Sequence, residues 1–231
     1  MSFEKLATKY VGKTAEDYER VRAGQKWDTE HEAIEQLLAS VPRSSTVLDI
    51  PIGTGRLLPL FKARDFEIFG ADVSQDMLAQ ARATAQSIGR PIHLEEADIR
   101  SLPFPTDAFD LVVCLRFLNL VDERSLDEVL RELSRVSKGR LLIGVRYKTD
   151  LSEMKTTPGD IGRLMARPIW IARWVYHLCF GYPRQSRAHH QSYLFKLIAS
   201  LNLEVARTRR VERRWDSTDY VLLLLEKTSA R

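Results

Sequence analysis

The strongest constraint on the fold is a regular alternation of short apolar runs with amphipathic helical patterns. The runs are continuous and flanked by polar turns, as strands buried on both faces of a sheet are. Strand–helix–strand alternation requires parallel pairing with right-handed crossovers. The sequence therefore predicts an α/β fold, in which helices cover both faces of a doubly wound sheet. The predicted strands are Thr46–Ile50, Phe66–Ala71, Pro91–Glu95, Ala108–Cys114 and Arg140–Tyr147; the predicted helices are Thr29–Ser40, Gln75–Ile88 and Leu126–Ser137, the first two capped by Asp28 and Ser74.

The last part of the chain departs from this alternation. A helix is predicted over His190–Leu201, and two strand-like runs follow it at Leu203–Val211 and Tyr220–Glu226. Too few residues separate these runs for a crossover helix, so they are expected to form an antiparallel hairpin at the edge of the sheet. We therefore predict a seven-stranded, mostly parallel sheet with one antiparallel edge strand. The length of 231 residues fits one domain, over residues 1–231.

A glycine-rich turn, VLDIPIGTGRLL at residues 47–58, follows the first predicted strand. Gly53 and Gly55 let the backbone approach a ligand closely, and the helix that begins after them offers free N–H groups. A dinucleotide-binding turn has a third glycine where this chain has Leu58, and a carboxylate at Asp49 would repel a pyrophosphate. The turn therefore favours a cofactor with a cationic amino-acid group over NAD.

The same turn resembles the first motif of the class I S-adenosylmethionine-dependent methyltransferases. Three further stretches resemble later motifs of that family, in the right order: FGADVSQDML at 69–78, EADIRSLPF at 96–104 and FDLVVC at 109–114. The resemblance covers residues 28–147 and implies a Rossmann-like sheet with the strand order 3-2-1-4-5-7-6. Pro51 departs from the family pattern, which has glycine at that position.

The resemblance implies S-adenosyl-L-methionine as the cofactor and assigns roles to individual residues. Asp49 would lie near the methionyl ammonium group, and Asp72 would accept hydrogen bonds from both ribose hydroxyls. Met77 would pack against the adenine, while Asp98 and the N–H of Ile99 would contact its polar edge. The full set of predicted cofactor residues is Asp49, Gly53, Thr54, Gly55, Asp72, Val73, Met77, Asp98, Ile99 and Cys114, with Tyr18 and Arg22 from an N-terminal segment, residues 1–27, that would cover the cofactor. No metal site is predicted.

The methyl acceptor is harder to predict, because methyl transfer needs a general base only when the nucleophile carries a proton. The fourth strand continues into LRFLN at 115–119, without the Asn/Asp-Pro-Pro-aromatic sequence with which relatives grip a planar amine. His189 and His190 are candidate general bases, and Arg116 is a candidate for holding a carboxylate or phosphate. The alternatives are a solvated pair of histidines and an arginine paired with Asp122 or Glu123.

Residues 148–188 form an insertion between the fifth strand and the penultimate helix pattern. Its stretch 164–182, LMARPIWIARWVYHLCFGY, interleaves aromatic with basic residues. The first interpretation is a lid that closes the acceptor pocket. An interfacial helix at a lipid headgroup boundary and a surface for stacking nucleic-acid bases are the alternatives.

The charge distribution and the cysteines limit which binding partners and which cellular location the sequence predicts. Residues 1–150 carry 21 Lys and Arg against 24 Asp and Glu, a net charge of −3, whereas residues 151–231 carry 14 against 7, a net charge of +7. A basic final third fits either an anionic partner or a solvated basic face. Cys114 and Cys179 lie in apolar runs, which favours a reducing, cytoplasmic location. No signal peptide and no transmembrane window are predicted.

We therefore expect a methyltransferase that acts on a small or lipid-like acceptor, at oxygen or carbon. An RNA or protein methyltransferase is the first alternative, supported by the basic final third. A non-catalytic partner subunit that binds S-adenosylmethionine is the second. Nucleic-acid binding is not favoured, peripheral membrane contact stays open, and the oligomeric state is not predicted.

Overall fold

The computed structural model describes residues 25–148, 187–213 and 218–228, which form a single sheet flanked by helices. The strands are β1 Thr46–Asp49, β2 Glu67–Asp72, β3 His93–Glu96, β4 Phe109–Cys114, β5 Ser137–Lys148, β6 His189–His190, β7 Leu203–Arg213 and β8 Thr218–Lys227. The helices are α1 Gln25–Leu38, α2 Leu58–Ala63, α3 Gln75–Ser87, α4 Glu123–Val136 and α5 Gln191–Ser200, with a 3₁₀ turn at Leu118–Leu120. None of these helices has both the length and the apolar character needed to span a bilayer. Most of the predicted covering segment 1–27 and of the predicted insertion 148–188 lies outside the described residues.

The strand order is β3-β2-β1-β4-β5-β8-β7, which confirms the predicted Rossmann-like topology. The sheet has eight strands because the two-residue strand β6 pairs in parallel with the end of β5, through Tyr147 and Lys148. The predicted hairpin of β7 and β8 is present and lies at the expected edge. Its second strand, β8, is antiparallel to both β5 and β7, so the antiparallel strand lies one position inside the edge and β7 forms the edge itself.

The side chains of the hairpin explain why β8 takes the inner position. Residues 220–225 of β8 read YVLLLL and are buried or nearly so, whereas Arg207, Arg209 and Arg210 of β7 are exposed. An inner strand is covered on both faces and needs apolar side chains, while charged side chains on an edge strand discourage further pairing.

Alternate strand residues point into two separate cores, one on each face of the sheet. On one face, Leu48 and Val112 pack with Leu126 and Leu130 of α4. On the other face, Val47, Leu111 and Leu222 pack with the apolar sides of α1, α2 and α3. This period of two is the signature of a sheet covered on both faces, as the sequence predicted.

Helix starts agree with the sequence in part. Ser74 caps α3, as predicted, and accepts a hydrogen bond from the backbone N–H of Met77 at 3.4 Å. Asp28 was predicted as the cap of the first helix, and this is wrong, because α1 includes Gln25 and Asp28 lies in its first turn. A carboxylate in the first turn is favourable through the helix dipole alone, so its presence does not mark the first residue.

Candidate cofactor site

The candidate site lies where β1, β2 and β4 end side by side, at the point where the strand order reverses. Ligands in open α/β sheets bind at this carboxyl edge. Asp49 is the last residue of β1, Asp72 the last of β2 and Cys114 the last of β4, and all three are buried. Two carboxyl groups therefore lie at the ends of neighbouring strands, next to the glycine-rich turn.

The turn after β1 is shaped by two glycines with positive φ, Gly53 at 57° and Gly55 at 79°. A Cβ on Gly55 would lie 2.7 Å from Cδ1 of Leu58 and 3.2 Å from Cα of Ala81, so glycine at this position lets α3 pack against the turn. The buried Thr54 adds a second link to α3, since its carbonyl accepts a hydrogen bond from the hydroxyl of Thr84 at 2.8 Å. The Ile50–Pro51 peptide bond that precedes the turn is cis.

Asp72 is held by backbone donors on both of its oxygens. The N–H of Gly53 donates to Oδ2 and the N–H of Ser74 donates to Oδ1, each at 3.0 Å. Burial, which leaves 7% of the residue exposed, raises its pKa, and the backbone hydrogen bonds partly oppose that rise. Because a carboxylate has about four acceptor positions, Asp72 can accept two further hydrogen bonds, as the two hydroxyls of a ribose require.

Asp49 differs from Asp72 in having no hydrogen-bond donor among the described residues. Only 3% of the residue is exposed, and burial raises its pKa well above the ordinary value. The positive charge of Arg56 opposes that rise, and the negative charge of Asp72 adds to it. A buried carboxyl group without a donor fits a cationic ligand group, such as the ammonium of the predicted cofactor.

The predicted adenine side combines one exposed and two buried apolar residues. Val73 is 45% exposed, whereas Met77 and Ile99 are buried. The N–H of Ala97 donates to the carbonyl of Asp72 at 3.1 Å and so joins the ends of β2 and β3. An exposed valine beside buried carboxylates provides an apolar surface on which a planar ring could rest.

Asp98 is already engaged within its own loop. Nε of Arg100 lies 3.0 and 3.1 Å from the two carboxylate oxygens, and the backbone N–H of Arg100 donates to Oδ1 at 2.9 Å. The Arg100 guanidinium holds the pKa of Asp98 below its usual range. Its carboxylate would have to share these hydrogen bonds with an adenine amino group.

Cys114 lies within the hydrophobic core, and burial raises the pKa of its thiol, as does the nearby charge of Asp49. The thiol is therefore neutral and unreactive near neutral pH. Its position at the end of β4 puts it beside Asp49, so it can line the site only through its apolar surface. Tyr18 and Arg22, the two other predicted cofactor residues, lie outside the described residues.

The two candidate histidines have different surroundings. His189 is buried, and its Nε2 lies 2.8 Å from the carbonyl oxygen of Leu118 in the turn after β4. Burial lowers the pKa of His189, so its ring is neutral and Nε2 is the donor in this contact. His190 is exposed at the start of α5. The structure therefore brings His189, and not His190, against the loop that borders the site.

Arg116 lies in a network of charged groups that the sequence analysis missed. Its Nε donates to Oε1 of the fully buried Glu30 at 3.0 Å, and Nη1 lies 3.9 Å from Glu212. Its guanidinium stacks 4.0 Å from the ring centre of Tyr220, and its backbone N–H donates to the Tyr220 hydroxyl. The alternative pairing with Asp122 or Glu123 is not found among the described contacts: Arg116 pairs with Glu30 and Glu212, and Asp122 caps α4.

The network continues on both sides of Arg116. Nη1 of Arg56, the residue directly after the glycine turn, lies 3.3 Å from Oε2 of Glu30. On the other side, Arg146 of β5 pairs with Glu212 at 2.9 Å. One signal in the sequence could have revealed this network. Glu30 precedes the buried residues Ala33 and Ile34 by three and four positions, so the helical spacing places it on the apolar face of α1.

Residues 47–139 match the family of the methyltransferase domain. Over these 93 of its 231 residues, the chain is similar to a methyltransferase domain. The family match spans β1 to the start of β5, and thus includes the turn, Asp49 and Asp72. Among the residues that the structure describes, no group of three or more His, Cys, Asp or Glu side chains is arranged to hold a metal ion.

The methyltransferase domain is similar to two curated relatives over about half of this chain. Demethylmenaquinone methyltransferase from Thermus thermophilus is 38% identical over 115 residues, which are 48% of this chain and 50% of that protein. Phosphatidylethanolamine N-methyltransferase from Cereibacter sphaeroides is 37% identical over 125 residues, 52% of this chain and 60% of that protein. The chain thus spans about half the length of the curated relatives it matches.

The fold of the methyltransferase domain is also found in a solved structure. Magnesium protoporphyrin IX methyltransferase from Synechocystis, with bound S-adenosylhomocysteine, superposes with a TM-score of 0.73 at 18% sequence identity. The match covers 97% of this chain and 100% of the other. At 18% identity, this similarity shows that the two chains share a fold and nothing more.

Proposed function

We propose that this chain transfers the methyl group of S-adenosyl-L-methionine to a small or lipid-like acceptor. The observation that carries the proposal is the pair of buried carboxyl groups, Asp49 and Asp72, at the ends of β1 and β2 beside the glycine turn. Asp72 has its two backbone donors and spare acceptor positions, while Asp49 has a buried carboxyl group without a donor among the described residues. These two groups match a ribose and an ammonium group, respectively.

The residues of the site bind and orient, and their chemistry needs no covalent catalysis. When bound, the cofactor supplies a methyl group on a positively charged sulfur, which leaves as a neutral thioether. Asp49 would hold the ammonium, Asp72 the ribose, and Val73 with Met77 the adenine. Holding the methyl group in line with an acceptor atom is the main source of rate in such a displacement.

The acceptor class rests on the relatives and on the loop after β4. The names of the two curated relatives specify a menaquinone precursor and a phospholipid, both lipid-like molecules. The loop at 115–119 lacks the sequence that grips planar amines, which argues against a base-amino or amide nitrogen and leaves oxygen or carbon as the preferred methylated atom, with a non-planar amine such as that of phosphatidylethanolamine as the alternative. His189 is the candidate general base for a hydroxyl acceptor. Arg116, paired with Glu30 and Glu212, is a weaker candidate for binding an anion.

A cytoplasmic location stays a prediction that rests on cysteine usage.

Calorimetric titration with S-adenosylmethionine, S-adenosylhomocysteine and NAD tests the cofactor assignment. We expect saturable binding of both sulfur compounds and no binding of NAD. Asp72→Ala and Asp72→Asn are each expected to lower the affinity by about 100-fold, because hydrogen bonds to a charged group contribute about 1.5–3 kcal/mol each. Asp127→Asn, on an exposed pair with Arg131 of α4, is the matched control and should bind normally. Binding of NAD, or full affinity in both Asp72 variants, would overturn the assignment.

The acceptor class is tested by transfer of a labelled methyl group. Quinols and phospholipids, each presented in vesicles, are compared with RNA and with a protein extract at the same cofactor concentration. Label in the lipid fraction supports the proposal, and label confined to RNA or protein supports the first alternative. Cofactor binding without transfer to any of them would favour a non-catalytic subunit.

A further inference from the structure

An ion pair near the end of α4 holds the connection between β3 and β4, residues 97–108. The pair joins Glu132 and Arg135 through two parallel hydrogen bonds: Nε of Arg135 donates to Oε2 of Glu132 and Nη2 donates to Oε1, each at 2.7 Å. A bidentate contact of this kind fixes a guanidinium in one orientation. The remaining hydrogen-bonding capacity of the pair is therefore presented to the connection in a defined geometry.

The same ion pair binds both backbone groups of Leu102. Oε1 of Glu132 accepts a hydrogen bond from the Leu102 N–H at 2.6 Å, and Nη2 of Arg135 donates to the Leu102 carbonyl at 3.1 Å. Nη1 of Arg135 also donates to the carbonyl of Phe104, at 2.8 Å. Because buried backbone groups need partners, and side chains of α4 supply them here, the position of this backbone depends on the ion pair.

The turn at 98–101 lies between two anchors on different elements. At one end, the N–H of Ala97 donates to the carbonyl of Asp72 at 3.1 Å, which joins the turn to the end of β2. At the other end, the ion pair of α4 holds Leu102. The turn is therefore placed relative to Asp72, the residue proposed to bind the ribose, by contacts on both of its sides.

The turn presents the Asp98 carboxylate at the surface. Ala97 and Ile99 lie in the hydrophobic core, whereas 37% of the Asp98 side chain is exposed. The backbone N–H and Nε of Arg100 donate to the carboxylate, and these bonds orient it within the turn. They are made inside the turn and move with it, so they do not replace the anchor that α4 provides.

We propose that Glu132 and Arg135 are positioning residues of the cofactor site: their ion pair holds the turn at 98–101 where the Asp98 carboxylate accepts a hydrogen bond from the amino group of the adenine. The inference rests on the cofactor proposed above and on the predicted contact of Asp98 with the adenine. A displaced turn would lose recognition of that amino group and keep the contacts with the ribose and the ammonium group, which belong to the ends of β2 and β1.

The test compares two ligands that differ at the adenine amino group. S-adenosylhomocysteine carries this group, whereas S-inosylhomocysteine has a carbonyl oxygen there, which repels a carboxylate. We expect the unchanged protein to prefer S-adenosylhomocysteine. Arg135→Met, which keeps the length of the side chain and removes its donors, should lower that preference by about tenfold, as loss of one hydrogen bond to a charged group does. Calorimetric titration with both ligands measures the preference. Equal weakening of both ligands, or no change, would overturn the proposal.

A milder variant keeps the proposal testable if Arg135→Met does not fold. Glu132→Gln retains an oxygen that can accept from the Leu102 N–H and removes the charge that orients Arg135. We expect the preference for the amino group to fall in the same direction, by a smaller factor. A folded Glu132→Gln protein with an unchanged preference would contradict a positioning role of the pair.

A double variant tests whether the ion pair acts through Asp98. Asp98→Ala alone should lower the preference for S-adenosylhomocysteine. Adding Arg135→Met to it should lower the preference no further, because two residues that act on one contact are not additive. A further loss of preference in the double variant would show a route independent of Asp98 and would overturn the proposal.

A matched control and two outcomes separate this inference from the function on which it rests. Arg131→Met removes a guanidinium from the same helix, where Nε of Arg131 lies 3.1 and 3.0 Å from the two oxygens of Asp127, and should leave both affinities unchanged. An unchanged protein that binds neither ligand removes the proposed cofactor. A lowered preference in Asp98→Ala with a normal one in Arg135→Met removes only the role of the ion pair.

Discussion

At the scale of single residues, the two acids of the site are prepared for their ligands in different ways. Asp72 is preorganised, since backbone N–H groups of Gly53 and Ser74 hold both of its oxygens before any ligand arrives. Asp49 is buried without a donor from the described residues, so its ionised form is costly until a cation reaches it. The unliganded protein therefore carries an unfavourable group that binding relieves.

This difference predicts a pH dependence of stability that belongs to Asp49. Burial raises its folded-state pKa above the unfolded value, so its contribution to stability is complete below the unfolded pKa and is lost as pH rises through the folded one. We expect the unfolding midpoint of the unliganded protein, measured relative to that of Asp49→Asn, to fall as pH rises. Thermal unfolding of both proteins over a pH series measures this difference. A difference that does not change with pH would contradict the prediction.

At the scale of the secondary-structure elements, the glycine turn and α3 form one packed unit. Gly55 has a positive φ and lies against Leu58 and Ala81, while the hydroxyl of Thr84 binds the carbonyl of Thr54. The position of the cofactor turn thus depends on a helix that begins at Gln75, three residues after Asp72.

Gly55→Ala tests this packing. The added methyl group would approach backbone Cα of Ala81, at 3.2 Å, as well as the side chain of Leu58, so α3 or the turn must move. We expect a loss of about 2–4 kcal/mol in unfolding free energy, from left-handed strain and overpacking together, and weaker cofactor binding. Gly89→Ala is the matched control: Gly89 also has a positive φ, at 62°, but no atom lies within 4 Å of the added carbon, so about 1–2 kcal/mol is expected. Equal losses in a denaturant titration would show that packing against α3 is not important.

The elements were predictable because their signals are local. Continuous apolar runs predicted β1, β2 and β4 to within a residue or two, and Ser74 predicted the start of α3. The start of β5 at Ser137 was placed three residues late, since the strand follows α4 without a turn and no breaker separates them. Local patterns report such boundaries poorly when one element runs directly into the next.

The contacts of the site were less predictable, because they join distant parts of the chain. Arg116 meets Glu30, 86 residues away, and Tyr220, 104 residues away. Sequence spacing offered only the nearby acids Asp122 and Glu123 as partners. Asp98 was expected to face a ligand, but its own neighbour Arg100 binds it first, a local competition that a motif does not reveal. Motif positions thus predicted which residues lie at the edge, and the fold determined their partners.

At the scale of the whole molecule, β8 joins the edge strand β7 to the parallel strands that end at β5. It pairs with β5 over nine residue pairs from Arg140–Glu226 to Lys148–Thr218, and with β7 along its other side. Its apolar residues contribute to the cores on both faces, with Leu223 on one side and Leu222 and Leu224 on the other.

A pair of substitutions at one register position tests this arrangement. Leu223 of β8 is fully buried, whereas its partner Thr208 of β7 is exposed. We expect Leu223→Ala to lower the free energy of unfolding by about 2–5 kcal/mol, and Thr208→Ala to change it by less than about 1 kcal/mol. Chemical denaturation of both variants measures the difference. Similar small losses would contradict an inner position for β8.

The inner position of β8 has a consequence during synthesis on the ribosome. β7 is made before β8, yet it joins the sheet only through β8, since β8 lies between it and β5. The nascent chain can assemble β1 to β5 early, but the open edge of β5 must wait until residues 218–227 have left the exit tunnel. During that interval the edge of β5, with Leu141, Ile143 and Val145, is available to chaperones and to wrong partners, so the speed at which the final hairpin forms would govern the yield of folded protein.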